Sequence, residues 1–149
     1  MYREPTLFSQ TVEYALRAVV YLAGRDARTG SISEIAKATR VTAPYLRKVL
    51  SPLRDAGIVQ TRRGSGGGVS LDADPAKLTV LQVVEAIEPV PRIERCPLGI
   101  PGHTSLCPLH AQLDETLRGV RYALANTFVS SLVGNSGDDV LHCAFPSSS

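Results

Sequence analysis

A chain of 149 residues is long enough for one domain with an appendage and too short for two large domains. Hydrophobic residues make up 44% and charged residues 20%, which excludes wholesale disorder, and no apolar run reaches the roughly 18 residues of a membrane span. The net charge of +2 hides an asymmetry: residues 1–70 hold 11 basic against 5 acidic side chains, residues 71–149 hold 5 against 9, so the first half suits a polyanion.

The predicted elements begin with a helix over residues 11–24. Val12, Ala15, Leu16, Val19, Val20 and Ala23 recur at three- and four-residue steps, Ser9 or Thr11 caps the start, and Gly24 stops the end. A short second helix starts at Ser31, where Ser31 and Glu34 have capping-box spacing, and ends near Arg40. A third follows Thr42 as N-cap, with Pro44 in its first turn, Leu46, Val49, Leu50 and Leu53 on its buried face, and Gly57 at its end. The period then changes. Residues 58–62 and 69–71 read as the two strands of a hairpin, joined by Arg63-Gly64-Ser65-Gly66-Gly67-Gly68, whose glycines let the chain reverse. A fourth helix over residues 79–88 opens on a second capping box, Thr79 and Gln82. Residues 89–108 are Pro-rich and irregular. A last helix is expected over residues 109–133, where Leu109, Leu113, Leu117, Val120, Leu124 and Phe128 form a stripe longer than one small core needs, as in a dimer helix.

The expected fold is therefore mostly α with a small β-hairpin wing: a winged helix-turn-helix domain followed by a long C-terminal dimerisation helix. The expected divisions are a DNA-binding domain at residues 8–76, a linker helix and sensor loop at 77–108, the dimerisation helix at 109–133 and a flexible tail at 134–149. In this arrangement the third helix fits the major groove of double-stranded DNA, where base edges are distinguishable. Tyr45, Arg47, Lys48 and Arg54 lie on its outward side, Arg40 in the turn and Thr42 at its N-terminus, where backbone amides favour a phosphate. Arg62, Arg63, Gly64 and Ser65 lie on the wing, within reach of an adjacent backbone or minor groove. The bland alternative, a solvated basic helix face, explains neither the motif order nor the hairpin. No signal-peptide pattern is visible at the N-terminus, so the expected location is cytoplasmic, with no membrane partner.

Three stretches, TVEYALRAVVYLAG at residues 11–24, VTAPYLRKVLSPLRDAG at 41–57 and RGSGGGVSL at 63–71, closely resemble the Rrf-type transcription regulators, and the resemblance covers about residues 8–133. It implies a homodimer with a crossed C-terminal helix, acting as a repressor on a palindromic operator. Regulators of this family often hold an iron–sulfur cluster in the loop before the dimer helix, on three cysteines about six residues apart. This chain has Cys96 and Cys107, but Gly102 and His103 stand where the middle cysteine would be. A 2Fe-2S cluster would then draw on Cys96, Cys107, His103 or His110, and Glu13, the first-helix acid that some relatives contribute from the opposite subunit. Zinc on Cys96, Cys107, His103 and His110 is the second reading, although Cys-x10-Cys lacks the short pair spacing of structural zinc sites. The third is no metal, with a small ligand, thiol oxidation or a partner enzyme as the signal, and Glu13 merely paired with Arg17 four residues on. Cys143, in the tail, is expected to be uninvolved. An enzyme with a cysteine nucleophile is disfavoured, because no partnering Asp or oxyanion-type turn is recognisable.

Overall fold

The computed structural model describes residues 7–134 apart from residue 103. Its elements in chain order are α1 (Gln10–Ala23), β1 (Thr29–Gly30), α2 (Ile32–Thr39), α3 (Ala43–Asp55), β2 (Val59–Arg62), β3 (Gly68–Leu71), α4 (Val80–Ile87), α5 (Pro108–Ala125) and a 3-10 turn, Val129–Leu132. Helix α1 is the centre of the fold. It starts on Ser9, whose side chain accepts the Val12 N–H, and buries Val12, Ala15, Ala18, Val19 and Leu22. Helices α2, α3 and α4, strand β3 and the 3-10 turn all pack against it. The main core joins Ala15, Ala18, Val19 and Leu22 to Ile35 of α2, Leu46, Val49, Leu50 and Leu53 of α3, and Val59, Val69 and Leu71 of the sheet. A second cluster, Val12, Val80, Leu81, Val84 and Val90, seats α4 and the start of the following loop, with Leu124 of α5 against it.

Both capping boxes form. The Ser31 N–H donates to Glu34 Oε2 at 2.7 Å and the Glu34 N–H to Ser31 Oγ at 3.1 Å, and Thr79 and Gln82 repeat the exchange at 2.9 and 3.2 Å. Thr42 occupies the N-cap position of α3 as expected, but its side chain makes no capping hydrogen bond.

Two elements differ from the sequence reading. The wing is a three-stranded antiparallel sheet in the order β1-β3-β2, not a two-stranded hairpin. Strand β1, from the connection between α1 and α2, pairs Thr29 with Ser70 and Gly30 with Val69. Two residues carry no period-2 pattern, so nothing in the sequence marked this strand. The last helix also ends earlier than residue 133. Beyond Ala125 the Asn126 side chain folds back onto the Tyr122 carbonyl, and the chain turns to bond the entry of α4: Val80 N–H to the Thr127 carbonyl at 2.8 Å and Val129 N–H to the Leu78 carbonyl at 2.9 Å. This turn seats Val129, fully buried, in the core, a position a continuing helix would not reach. Of the tail expected at residues 134–149, all but residue 134, Cys143 included, lies outside the described residues.

Of the apolar stripe on α5, Leu109 and Leu113 are 63% and 45% exposed in the single chain. The one charged residue on this helix that is buried is Asp114. Among the described residues no helix is long and apolar enough to cross a membrane.

Candidate nucleic-acid interface and thiol site

Helices α2 and α3 are joined by the two residues at 40–41 before the Thr42 cap. Arg40 closes α2 in the left-handed conformation, φ 56°, with its N–H on the Ala36 carbonyl. A non-glycine residue there is uncommon and makes the turn tight. Arg17 of α1 reaches the same turn: its Nη1 donates to the Thr39 carbonyl at 3.2 Å while its Nε pairs with Glu13 at 3.2 Å.

The predicted DNA-contacting residues fall into two groups, eight exposed and one, Tyr45, half-buried. Arg47 and Lys48 of α3, Arg62 of β2, and Arg63, Gly64 and Ser65 of the wing are exposed, as are Arg40 and Thr42. Arg47, Arg54, Arg62 and Arg63 line one cleft of about 430 Å³ between α3 and the wing. Arg54, also basic, is engaged on its own helix, with Ser51 and Asp55 both at 3.4 Å. Tyr45 is half-buried: its ring meets Tyr14 of α1 edge-on at 5.2 Å, and the Lys48 ammonium lies 5.6 Å from its centre. Packing of α3 on α1 therefore accounts for Tyr45 without a DNA contact.

The wing reverses through Gly64 and Gly66, at φ 92° and 78°, and the Gly67 N–H donates to the Gly64 carbonyl at 2.9 Å. Glycines 67 and 68 are needed for space instead. A Cβ on Gly67 would stand 2.5 Å from the Arg62 carbonyl oxygen, and one on Gly68 2.7 Å from that of Gly30.

The second constellation sits at the start of α5. Cys107 is its N-cap residue, Pro108 occupies the first turn, and His110 is the third helical residue. N-cap and N3 side chains face each other at a helix start, the geometry a capping box uses. Here it brings Cys107 Sγ to 3.0 Å from His110 Nδ1, and Cys96 arrives from the loop at 3.9 Å from the same nitrogen. The donor atoms of all three half-buried residues lie within 4.8 Å of one another. Sulfur and nitrogen ligands of one tetrahedral metal, with bonds of about 2.3 and 2.0 Å, stand about 3.5 Å apart. The two sulfur–nitrogen distances bracket that value, so the trio fits a metal ion or one edge of a cluster, and two thiols with an imidazole are a donor set that iron and zinc both accept. Glu13 is not part of this trio within one chain. His103 lies outside the described residues.

Sequence reading missed the residues that fix the loop. Asp114 Oδ1 accepts Arg92 Nε at 2.8 Å and the Ile93 N–H at 2.9 Å, and Oδ2 accepts Arg92 Nη2 at 2.9 Å. The Arg92 hydrogen bonds first, and then the Ile93 N–H, lower the Asp114 carboxyl to about 2. A carboxyl depressed in the folded state stabilises above its ordinary range and loses that contribution as pH falls through the folded value. The expected result is an Asp114 titration midpoint near 2 by NMR, with the Ile93 amide signal following it; a midpoint near 4 would contradict the pairing.

The chain resembles known proteins over most of its length. The Rrf2 family model, described as iron-dependent transcriptional regulator, matches residues 8–135. A candidate HTH-type transcriptional regulator of Aquifex aeolicus (strain VF5) is 32% identical over 132 residues, covering 85% of this chain and 91% of that one. Among solved structures, Staphylococcus aureus CymR is 26% identical with a TM-score of 0.67, covering 87% of this chain and all of that one. The T. potens IscR structure shares the fold at a TM-score of 0.70 and 20% identity, over 85% of each chain. The basic α3–wing cleft, the helix order and these matches agree: the chain belongs to the Rrf2 family of transcription regulators, carries their DNA-binding fold, and is a regulator rather than an enzyme.

Proposed function

We propose that the protein is a homodimeric repressor in the cytoplasm that binds a palindromic operator and is switched at Cys96, Cys107 and His110. The observation that carries the reading is the position of this trio at the start of α5, the helix whose exposed Leu109 and Leu113 suit a second copy. Groups bound at the foot of a dimer helix bias how two DNA-binding units are set relative to each other.

The DNA side rests on α3 and the wing. Arg47, Lys48, Arg62 and Arg63 neutralise phosphates, the amides at the start of α3 receive another beside Thr42, and Gly64 and Ser65 bring the wing backbone close. On the sensing side, Cys96, Cys107 and His110 would hold a 2Fe-2S cluster, with Glu13 supplied by the second copy as the remaining ligand. When bound, such a cluster supplies a one-electron redox couple. Recruiting Glu13 would detach it from Arg17, whose other bond is to the Thr39 carbonyl beside the Arg40 turn. The sensor and the DNA-reading turn thus share one side chain. Zinc on Cys96, Cys107 and His110 is the simpler occupant, and the closeness of the two sulfurs also supports a metal-free thiol switch.

The deciding experiment is an absorption spectrum with iron and acid-labile sulfide assays on protein purified without oxygen, followed by operator binding before and after oxidation. Visible bands with about two irons and two sulfides per site, lost in Cys107→Ala and Glu13→Ala, are expected. A colourless protein that still shifts DNA, and does so equally in oxidised and reduced form, would overturn the sensing half and leave the DNA half standing.

A further inference from the structure

We propose that Arg92 and Asp114 form a positioning clasp for the thiol site, tying the segment that leads into the loop to α5 and so holding Cys96 against Cys107 and His110.

Among the described residues of 88–107 there is no helix or strand, and Cys96 and Cys107 are eleven positions apart within this stretch. A segment of this length without structure of its own samples many closures, and its two ends meet only at an entropic cost. Cys107 and His110 are placed by α5 itself. Cys96 is not; its position depends on where the preceding chain is anchored. Val90 is the last residue of that chain in the hydrophobic core. Beyond it, the bonds from Arg92 and Ile93 to Asp114 carry the anchoring three residues further, to within three residues of Cys96. Past Ile93, among the described residues, the loop's side-chain hydrogen bonds are those of the thiols to His110.

The anchor is well made. Asp114 is one of two buried polar or charged residues among those described, and a guanidinium gripping both carboxylate oxygens is a directional contact. It is also well placed. Asp114 follows His110 by four residues, so the two project from the same face of α5 about 6 Å apart along its axis. The loop is thus pinned one turn beyond the imidazole that Cys96 must meet. Arg92 and Asp114 act through Cys96 and would touch no bound group.

This role rests on the trio being the working site, but it can be tested without any metal. In a Cys143→Ser background, the reduced protein is equilibrated with oxidised glutathione. One thiolate attacks the glutathione disulfide, releasing one reduced glutathione and leaving a mixed disulfide. The second thiolate then attacks the protein sulfur, forming the Cys96–Cys107 bond and releasing the other glutathione. The equilibrium constant reads the effective concentration of one thiol at the other. Asp114→Asn keeps the shape and removes the charge. It should lower that constant about tenfold and weaken Zn²⁺ affinity, measured against a chelator, by a similar factor, with Arg92→Lys intermediate. Operator affinity of the reduced metal-free protein should stay unchanged, and unfolding should remain a single cooperative transition, its midpoint lowered only by the loss of the one ion pair. A constant unchanged in Asp114→Asn would overturn the proposal. So would a loss that comes with a general loss of folding, since Asp114 would then be merely structural. A protein that never takes up iron or zinc still gives the exchange constant, so failure of the metal reading and failure of the clasp are separable.

Discussion

Replacing Arg47, Lys48, Arg62 and Arg63 together by Ala should abolish measurable binding to duplex DNA at physiological salt while leaving the fold intact. Among the described residues none of the four takes part in an ion pair, and all four are exposed, so each cationic head is available to a phosphate. Each phosphate neutralised by a protein cation releases condensed counterions, and log affinity falls against log salt with a slope of about −0.9 per contact. Single substitutions should therefore flatten the slope by about one each, uniformly across DNA sequences, unless the residue reads a base. A base-reading residue loses about 1–3 kcal/mol on the operator alone. Arg54 is the internal control. It lines the same cleft but is held by Ser51 and Asp55, so Arg54→Ala should cost less than Arg47→Ala. Titrations at several salt concentrations decide the matter: affinity indifferent to salt, or to the Arg47 and Lys48 pair, would remove α3 from the groove.

The second large effect concerns three adjacent glycines that look alike in sequence. Gly66→Ala meets open space but a φ of 78°, so it should cost about 1–2 kcal/mol, the ordinary penalty for a side chain in the left-handed region. Gly68→Ala has an ordinary φ but places a methyl 2.7 Å from the Gly30 carbonyl oxygen, which is backbone and has nowhere to swing. Strands β1 and β3 would have to part, giving a loss in the upper range of single substitutions, about 3 kcal/mol or more. Gly67→Ala, 2.5 Å from the Arg62 carbonyl oxygen, should reshape the wing turn and weaken DNA binding along with stability. Chemical denaturation of the three variants gives the ranking, and a Gly68→Ala protein as stable as the parent would mean that the β1–β3 contact does not exist in solution.

The legible parts of the chain were those where local chemistry repeats or completes itself. The apolar steps of α1 and α3 and the boxes at Ser31 and Thr79 each contain their own reason within a few residues. Cys107 and His110 are readable too, once Cys107 is seen as an N-cap, because their spacing is that of a capping box. The illegible parts are those decided by a distant partner. Strand β1 exists because β3 passes beside it, 39 residues on from Gly30 at Val69. The final helix stops where Val129 gains more from the core than from another turn. Asp114 looked like any acid on an amphipathic helix. Its one signal was its place four residues after His110, and its partner, Arg92, lies in a stretch with no pattern of its own.

Strand β1 has a consequence for how such a regulator is read by its operator. The wing is stitched through Gly30 and the Arg28 carbonyl to the connection between α1 and α2, so it has no hinge of its own. In the proposed complex, α1, α3 and the wing would then move together as one reading head. In the proposed dimer, a signal arriving through α5 and α4 can only tilt or translate that head as a whole. The quantity being regulated is then the gauge between two heads, measured against the roughly 34 Å repeat of the duplex, and an operator with one base pair inserted at its centre would report the switch in reverse.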